Sequence, residues 1–269
     1  MLRQMDRLYR LLGWSEIATV NLHGKSVCVR MFDSRLQAVV DELRGQSRIS
    51  IAIRTFLNEG DTFLDIGANH GSYSILAASI LKGTGRIVAF EPFLKLAECV
   101  EKSLTLSSHN CWDVMRIALS DKAGTCQFYF DSTGSGTGSV FGNFSDNAKH
   151  SCTVEMTPLD SITEQLRVVG SVLIKLDVEG SEFNVLNGAR GLLRRFRPTI
   201  ILETNPESAS AAGHSLSDLV QLLAEEGYTD FIDTRNFAQT LSVGQLDLSR
   251  QGDLVAVGGQ PAIRCSSQM

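Results

Sequence analysis

The sequence lacks the segments that would place a protein in or across a membrane. No run of apolar residues approaches the roughly 18 that a membrane-spanning helix requires. The opening residues, Met1 to Arg7, do not form the continuous apolar core of a signal peptide. We therefore expect a cytoplasmic protein without a membrane span.

Paired cysteines are also missing. None of the six cysteines belongs to a Cys-x-x-Cys pair, the spacing that is typical of zinc sites. Reduced thiols, most of them buried, are the simpler interpretation. The cysteines are Cys28, Cys99, Cys111, Cys126, Cys152 and Cys265.

The sequence has no surplus of basic residues. Its 25 Lys and Arg against 30 Asp and Glu give a formal net charge of −5. Nucleic-acid-binding domains usually carry a basic surplus, so we do not expect nucleic acid as the main partner. Hydrophobic residues make up 43% and charged residues 20%, which is typical of a globular protein.

What the sequence does contain is a pattern of strand, glycine turn and helix. The apolar run from Phe63 to Ile66 includes one carboxylate, Asp65, and is followed by Gly67 and Gly71. An apolar helical pattern begins directly afterwards. Such a turn lets a ligand approach the backbone and meet the positive N-terminus of the next helix.

A second strand pattern, Arg86 to Glu91, follows about twenty residues after the first and ends in an acid. In doubly wound folds, an acid at the end of the second strand holds the ribose of a nucleoside. The two patterns together predict a nucleoside-cofactor site.

Strand and helix patterns alternate along the rest of the chain. Strands are predicted over residues 62–66, 86–91, 112–119, 125–130, 152–156, 172–178, 198–203, 228–233 and 253–258. Helices are predicted over residues 71–82, 93–107 and 215–226, with two more that begin at Pro158 and Ser181. This alternation predicts an α/β protein with a mostly parallel, doubly wound sheet.

Residues 1–60 precede the alternation and read as an N-terminal extension that packs on the main domain, residues 61–269. The extension is predicted to contain a helix over 1–14, a hairpin over 17–31 and a helix over 46–58. The first helix could equally form a homodimer surface.

Residues 131–139 consist mostly of glycine, serine and threonine, which cannot build a core. They predict a mobile surface loop. Two interpretations stay open, a simple linker and a substrate lid beside the cofactor site.

The glycine turn departs from the G-x-G-x-x-G pattern of dinucleotide sites, because Asn69 stands at the second glycine position. This argues for a nucleoside cofactor without a pyrophosphate, and S-adenosylmethionine fits. The alternatives are a nicotinamide-dependent oxidoreductase, which Asn69 disfavours, and a non-catalytic module that binds a partner protein.

Five segments give the chain a specific resemblance. They are Asp65–Gly71 (DIGANHG), Val88–Pro92 (VAFEP), Ala118–Ser120, Ile174–Glu182 (IKLDVEGSE) and Pro198–Glu203. In this order they resemble the FkbM family of S-adenosylmethionine-dependent methyltransferases, over roughly residues 60–205. The resemblance implies a class I methyltransferase (Rossmann-like) fold with a seven-stranded sheet whose last strand is antiparallel. It also implies O-methylation of sugars, glycolipids or polyketide-type natural products, hence a small-molecule or glycan acceptor.

The resemblance also implies the site residues. The cofactor-binding set is Asp65, Gly67, Ala68, Asn69, Gly71, Glu91, Pro92, Ala118, Leu119, Ser120 and Asp177. It places Lys175, Asp177, Glu179 and Glu182 near the transferring methyl group, and His70 joins this set only because it lies in the cofactor turn itself. Position 70 is often aliphatic in the family, so His70 is a departure from its pattern.

Methyl transfer to a hydroxyl needs a group that accepts the proton. The candidates are His70, Asp177, Glu179, Glu182 and His150. His70 could instead form a local hydrogen bond at the helix start, and Lys175 and Asp177, which share one face of a strand, could be a buried ion pair.

A magnesium ion is the remaining cofactor to consider. Asp177, Glu182 and Glu203 could hold Mg²⁺ through their oxygens. Metal-free catalysis is the favoured interpretation, since nothing in the spacing demands a metal.

Overall fold

The computed structural model describes residues 17–31, 33–131, 134–140 and 150–259. The helix predicted over residues 1–14 lies outside these ranges. Within them, no helix is both long and apolar enough to cross a membrane.

Fourteen strands and nine α-helices form in the described part of the chain. The strands are β1 Ile17–Leu22, β2 Lys25–Arg30, β3 Thr62–Ile66, β4 Arg86–Phe90, β5 Trp112–Met115, β6 Ala118–Leu119, β7 Gly124–Asp131, β8 Gly134–Ser139, β9 His150–Thr157, β10 Val172–Leu176, β11 Thr199–Thr204, β12 Phe231–Asp233, β13 Thr240–Leu241 and β14 Gly252–Ala256. The α-helices are α1 Leu36–Arg44, α2 Arg48–Phe56, α3 Ser72–Leu81, α4 Leu94–Thr105, α5 Leu159–Ile162, α6 Glu182–Asn187, α7 Arg190–Phe196, α8 Pro206–Ala211 and α9 Leu216–Glu225.

The predicted hairpin is present as β1 and β2, which pair in antiparallel register. His23 and Gly24 form its turn with φ of 53° and 76°, the positive values that a tight hairpin turn requires. Helix α2 begins after Ser47, whose hydroxyl accepts the Ser50 N–H at 3.0 Å. Helix α1 was not predicted.

The central sheet has the strand order β13-β12-β14-β11-β10-β3-β4-β5. Strands β11, β10, β3, β4 and β5 are parallel, and β14 lies antiparallel between β11 and β12. The α/β class with a central mixed sheet is therefore confirmed. The sheet has eight strands where seven were expected, because the two-residue strand β13 pairs with the outer side of β12.

A second sheet has the order β6-β9-β7-β8, and it corrects two predictions. The strand predicted over 112–119 is two strands, since β5 belongs to the central sheet and β6 to the second. Residues 134–139, predicted as a loop, pair with β7 as β8. Glycine suits this position, because a Cβ at Gly138 would lie 2.6 Å from the ring of Phe128.

The extension shares a hydrophobic core with the central sheet. Val29, Leu43 and Ile53 pack in one cluster with Phe63 and Leu76. A second cluster fills the opposite face of the sheet and includes residues of α6, α7 and α9. The extension thus reaches the carboxyl ends of the strands, where ligands bind in this class of sheet.

Candidate active site

A cleft that is partly open to solvent lies at the carboxyl ends of β3, β4 and β10. Eight of the predicted cofactor-binding residues line it: Gly67, Ala68, Asn69, Glu91, Pro92, Ala118, Leu119 and Asp177. Three of the residues predicted near the methyl group also line it: Lys175, Asp177 and Glu179. The structure thus brings the glycine turn after β3 and the loop after β10 to one cavity.

The glycine turn approaches the loop after β10 so closely that only glycine fits. Gly67 has φ of 77°, and a Cβ there would lie 1.9 Å from the backbone oxygen of Asp177. The N–H groups of Gly67 and Ala68 both donate to the Phe90 carbonyl at 3.0 Å. The turn is therefore fixed to both neighbouring strands.

Glu91 is buried, with 4% of its surface exposed, and is held by backbone groups. Its two carboxylate oxygens accept the N–H of Asn69 at 2.8 Å and of Phe93 at 2.9 Å. Burial raises the pKa of Glu91 to about 7, although these two hydrogen bonds oppose the shift. Asn69 itself has a positive φ of 53°, which asparagine tolerates.

Asp65 lies behind the cleft rather than on its wall. Its carboxylate is fully buried, accepts the Ser74 hydroxyl at 2.6 Å and lies 3.8 Å from Lys175 Nζ. Asp65 and Lys175 are partners in the β3–β10 register. Asp65 therefore positions Lys175 and α3 and does not line the cavity.

Lys175 contacts both the glycine turn and the loop after β10. Its ammonium donates to the Gly67 carbonyl at 2.7 Å and lies 3.5 Å from the Asp177 carboxylate. Burial lowers the pKa of Lys175, but Asp177 and Asp65 outweigh this effect and raise it. The predicted buried ion pair of Lys175 with Asp177 is present.

Asp177 and Glu179 lie on the cleft wall after β10 in opposite protonation states. Burial would raise the pKa of Asp177, but Lys175 and Arg35 lower it, so this carboxylate is ionised at neutral pH. Burial and the repulsion of Asp177 raise the pKa of Glu179 to about 9, so it retains its proton. The backbone of Glu179 is fixed by the Ser139 hydroxyl, which donates to its carbonyl at 2.9 Å.

Glu182 does not line the cleft. Its carboxylate accepts the N–H groups of Val178 at 2.9 Å and Gly180 at 3.0 Å, which closes the loop that carries Glu179. Burial raises the pKa of Glu182 to about 7. The geometry gives it a positioning role, not the direct contact expected from the sequence.

His70 also lies off the cleft wall. Its Nδ1 is 2.7 Å from the Asn69 side-chain oxygen, and its Nε2 is 3.9 Å from Asp33. Burial is the main reason that its pKa falls to about 4. His70 thus forms the local helix-start contact, and the other histidine candidate, His150, lies exposed on β9.

Two more predicted cofactor residues lie outside the cleft lining. Gly71 starts α3, and a Cβ there would lie 3.1 Å from Val100. Ser120 is buried, and its N–H donates to the Thr157 carbonyl at 3.2 Å. Both support the frame around the cavity.

Three carboxylates in the described residues converge closely enough to hold a metal ion. They belong to Asp177, Glu179 and Glu203, whose oxygens lie within 4.8 Å of one another. The sequence predicted Glu182 in the place of Glu179. Burial and Asp177 raise the pKa of Glu203 to about 8, and Gln251 donates to its carboxylate at 2.9 Å.

Sequence reasoning missed the residues that the extension and the second sheet contribute. Arg30 and Arg35 line the cleft from the extension, and Phe128 and Phe130 line it from β7. Phe130 packs against Phe93 with ring centroids 4.4 Å apart. No motif marks these positions, although the aromatic residues of β7 lay inside a predicted strand.

The comparisons with known proteins point to one family. The family model described as Methyltransferase FkbM domain matches residues 65–229, more than half of the 269 residues. A comparison with curated proteins gave no match.

Several solved structures are similar to this chain. The methyltransferase FkbM from Methylobacillus flagellatus KT shares 16% identity at a TM-score of 0.46, over 73% of this chain and 43% of that chain. A SAM-dependent methyltransferase from Aquifex aeolicus shares 12% identity at a TM-score of 0.44, over 81% and 92%. Precorrin-6y C5,15-methyltransferase from Geobacter metallireducens GS-15 shares 13% identity at a TM-score of 0.43, over 90% and 95%. At such identities and TM-scores the likenesses carry no argument about activity, and the chain spans less than half of the first structure.

The family match covers most of the residues that line the cleft, although not Arg30 and Arg35 of the extension. It includes the glycine turn, Glu91 and the loop from Asp177 to Glu182. The chain therefore belongs to the FkbM methyltransferase family.

Proposed function

We propose that this protein is an S-adenosylmethionine-dependent O-methyltransferase. Its acceptor would be a hydroxyl group of a sugar, a glycolipid or a polyketide-type small molecule. The observation that carries the proposal is one cleft, at the ends of three neighbouring strands, in which the glycine turn, Glu91 and Asp177 meet. Family membership supports the transfer of a methyl group.

The residues on one side of the cleft suit a nucleoside that has no pyrophosphate. A side chain at Gly67 would collide with the Asp177 backbone, so glycine lets the turn and the loop after β10 meet closely at the cleft wall. Glu91 presents a carboxylate at the end of β4, where a ribose diol is held in doubly wound sheets. Ala118 and Leu119 offer an apolar wall for a base.

The residues after β10 suit the reacting side. When bound, S-adenosylmethionine supplies a methyl group that a positive sulfur activates. Asp177, ionised at neutral pH, accepts a hydrogen bond from an acceptor hydroxyl and takes its proton. Glu179, protonated at neutral pH, donates a hydrogen bond to the acceptor, and Lys175 fixes Asp177 relative to the glycine turn.

The net charge of −5 supports a small-molecule or glycan acceptor over nucleic acid. The cleft wall agrees, since Phe93, Phe128 and Phe130 provide apolar and aromatic surface of the kind that lines small-molecule sites. A homodimer stays a prediction.

Calorimetric titration with S-adenosylhomocysteine and with NADH tests the cofactor. We expect saturable binding of S-adenosylhomocysteine alone, and binding of NADH alone would refute the proposal in favour of an oxidoreductase. Glycosides, glycolipids and polyketides are then screened with S-adenosylmethionine labelled in its methyl group. Label in an ether product supports O-transfer, whereas tight S-adenosylhomocysteine binding without transfer to any acceptor indicates a non-catalytic module.

A further inference from the structure

Arg35 lines the cleft although it belongs to the extension, outside the segments that resemble the family. It stands immediately before α1, and its backbone N–H donates to the Asp33 carboxylate at 2.9 Å. Its side chain keeps 26% of its surface exposed, while the Arg30 side chain, the other extension arginine on the wall, keeps 3%. Arg35 is therefore the more accessible of these two cations.

One nitrogen of the Arg35 guanidinium donates to a carboxylate, and another has no acceptor among the described residues. Its Nη2 donates to Glu42 at 2.5 Å, and the second oxygen of Glu42 accepts the hydroxyl of Ser72, the first residue of α3. Its Nε is buried and donates no hydrogen bond to any atom of the described residues. A buried donor without an acceptor is costly, and a ligand oxygen would remove that cost.

The surroundings keep Arg35 charged. Burial would lower the pKa of its guanidinium, but Glu42, Asp177 and Glu179 raise it. Arg35 lines the same cleft as the glycine turn, the first residues of α3 and the loop after β10. Through Glu42 its guanidinium is linked to Ser72 in the first turn of α3.

The N-terminus of α3 favours negative charge at the same place. Gly71 occupies its N-cap position, and no side chain caps the helix. Open N–H groups and the helix dipole stabilise an anion there. The nearby ammonium of Lys175 is engaged by the Gly67 carbonyl and the Asp177 carboxylate.

We propose that Arg35 binds the carboxylate of the methionine part of the cofactor. This inference rests on the proposed function, because it assumes a nucleoside cofactor with an amino-acid end. A guanidinium that donates to Glu42 through one nitrogen can donate to a ligand carboxylate through others, a charge-assisted contact that is stronger than a neutral hydrogen bond. The extension would then select for an intact amino-acid end as well as cover the cleft.

The test is a cycle of two ligands and two proteins measured by calorimetry. The ligands are S-adenosylhomocysteine and its analogue with a carboxamide in place of the carboxylate. The proteins are the wild type and Arg35→Gln. We expect each single change to weaken binding by about 10- to 100-fold, and the two changes together to weaken it little further, because both remove the same contact.

Additive losses in the cycle would overturn the inference, as would full S-adenosylhomocysteine affinity in Arg35→Gln. If Arg35→Gln does not fold, Arg35→Lys takes its place in the cycle. The wild type alone also tests the inference, because equal affinity for S-adenosylhomocysteine and its carboxamide analogue would contradict the assignment of Arg35 to the carboxylate. Failure of the wild type to bind S-adenosylhomocysteine would overturn the proposed function itself, and the inference with it.

Discussion

The two loops that flank the glycine turn hold their carboxylates in different ways. After β4, Glu91 stands alone and is held by two backbone N–H groups. After β10, Asp177 and Glu179 lie together beside Glu203. Burial and the charge of Asp177 raise the pKa of Glu179 and Glu203, which stay protonated at neutral pH, while Lys175 and Arg35 lower the pKa of Asp177, which is ionised. The backbone-held acid suits a binding role, and the crowded set suits proton transfer, because it keeps neighbouring groups in different protonation states.

The largest expected effect comes from the carboxylates of the loop after β10. Asp177→Asn should lower turnover by about 100- to 10,000-fold, because it removes the ionised proton acceptor. Glu179→Gln should lower turnover by less than about tenfold, since an amide resembles the protonated acid already present. Turnover and S-adenosylhomocysteine affinity are measured separately for both variants. Equal losses of turnover in the two variants would contradict the different roles of Asp177 as proton acceptor and Glu179 as hydrogen-bond donor.

The next effect concerns the close contact between the glycine turn and the loop after β10. Gly67→Ala should destabilise the protein by about 2 to 4 kcal/mol, because its Cβ would meet the Asp177 carbonyl and φ is positive. Gly24→Ala is the matched control, since Gly24 has nearly the same φ, 76° against 77°, with no atom within 4 Å of an added Cβ. Urea unfolding of both variants gives the comparison. Similar losses would show that the contact contributes nothing beyond backbone strain.

Glu91 and Glu182 give a matched pair on the two sides. Both are buried, both accept backbone N–H groups, and burial raises the pKa of each to about 7, yet only Glu91 lines the cleft. Glu91→Gln should weaken S-adenosylhomocysteine binding by about 10- to 100-fold through lost charge-assisted hydrogen bonds. Glu182→Gln should change it by less than about threefold. Titration calorimetry measures the S-adenosylhomocysteine affinity of both variants. Equal losses of affinity would show that lining the cleft does not distinguish Glu91 from Glu182.

The raised pKa of Glu91 predicts a pH dependence on the binding side. The ionised form accepts hydrogen bonds from a ribose, so S-adenosylhomocysteine affinity should rise with pH through about 7. The slope is at most about tenfold per pH unit, because one proton is released. Titrations between about pH 5.5 and 8.5 should show this rise in the wild type and not in Glu91→Gln. The same slope in both proteins would assign the titration to another group.

The smallest effect is expected from metal removal. Glu179 and Glu203 hold protons at neutral pH, so a cation at the three carboxylates would have to displace them. A chelator should therefore change turnover at pH 7 by less than about twofold. If the chelator abolishes turnover and added Mg²⁺ restores it, the three carboxylates would instead form a metal site.

The sequence predicted the central strands well where apolar runs were short and bounded. Strand 62–66 has the predicted bounds. Gly67 and Glu91, both singled out from the sequence, line the cleft. Helix α1 was missed although Leu36, Val39 and Leu43 follow a helical spacing, so the signal was present in the sequence.

Other errors had no local signal. Residues 112–119 read as one apolar strand, because nothing in them marks the passage from one sheet to the other. The glycine-rich β8 is a strand because Gly138 packs against the Phe128 ring, a contact fixed only by the fold. In the site, Glu182 and Asp65 could not be separated from Glu91 and Asp177 by pattern, since side-chain direction at strand ends depends on neighbouring loops.

The most direct test of how the cleft is divided between cofactor binding and reaction is a crystal structure of the protein with S-adenosylhomocysteine. We expect the ribose at Glu91, the amino-acid end at the Gly67 turn beside Arg35, and the sulfur facing Asp177 and Glu179. A ligand bound elsewhere, or with its ribose at Asp177, would contradict the division of the cleft into a binding side and a reacting side.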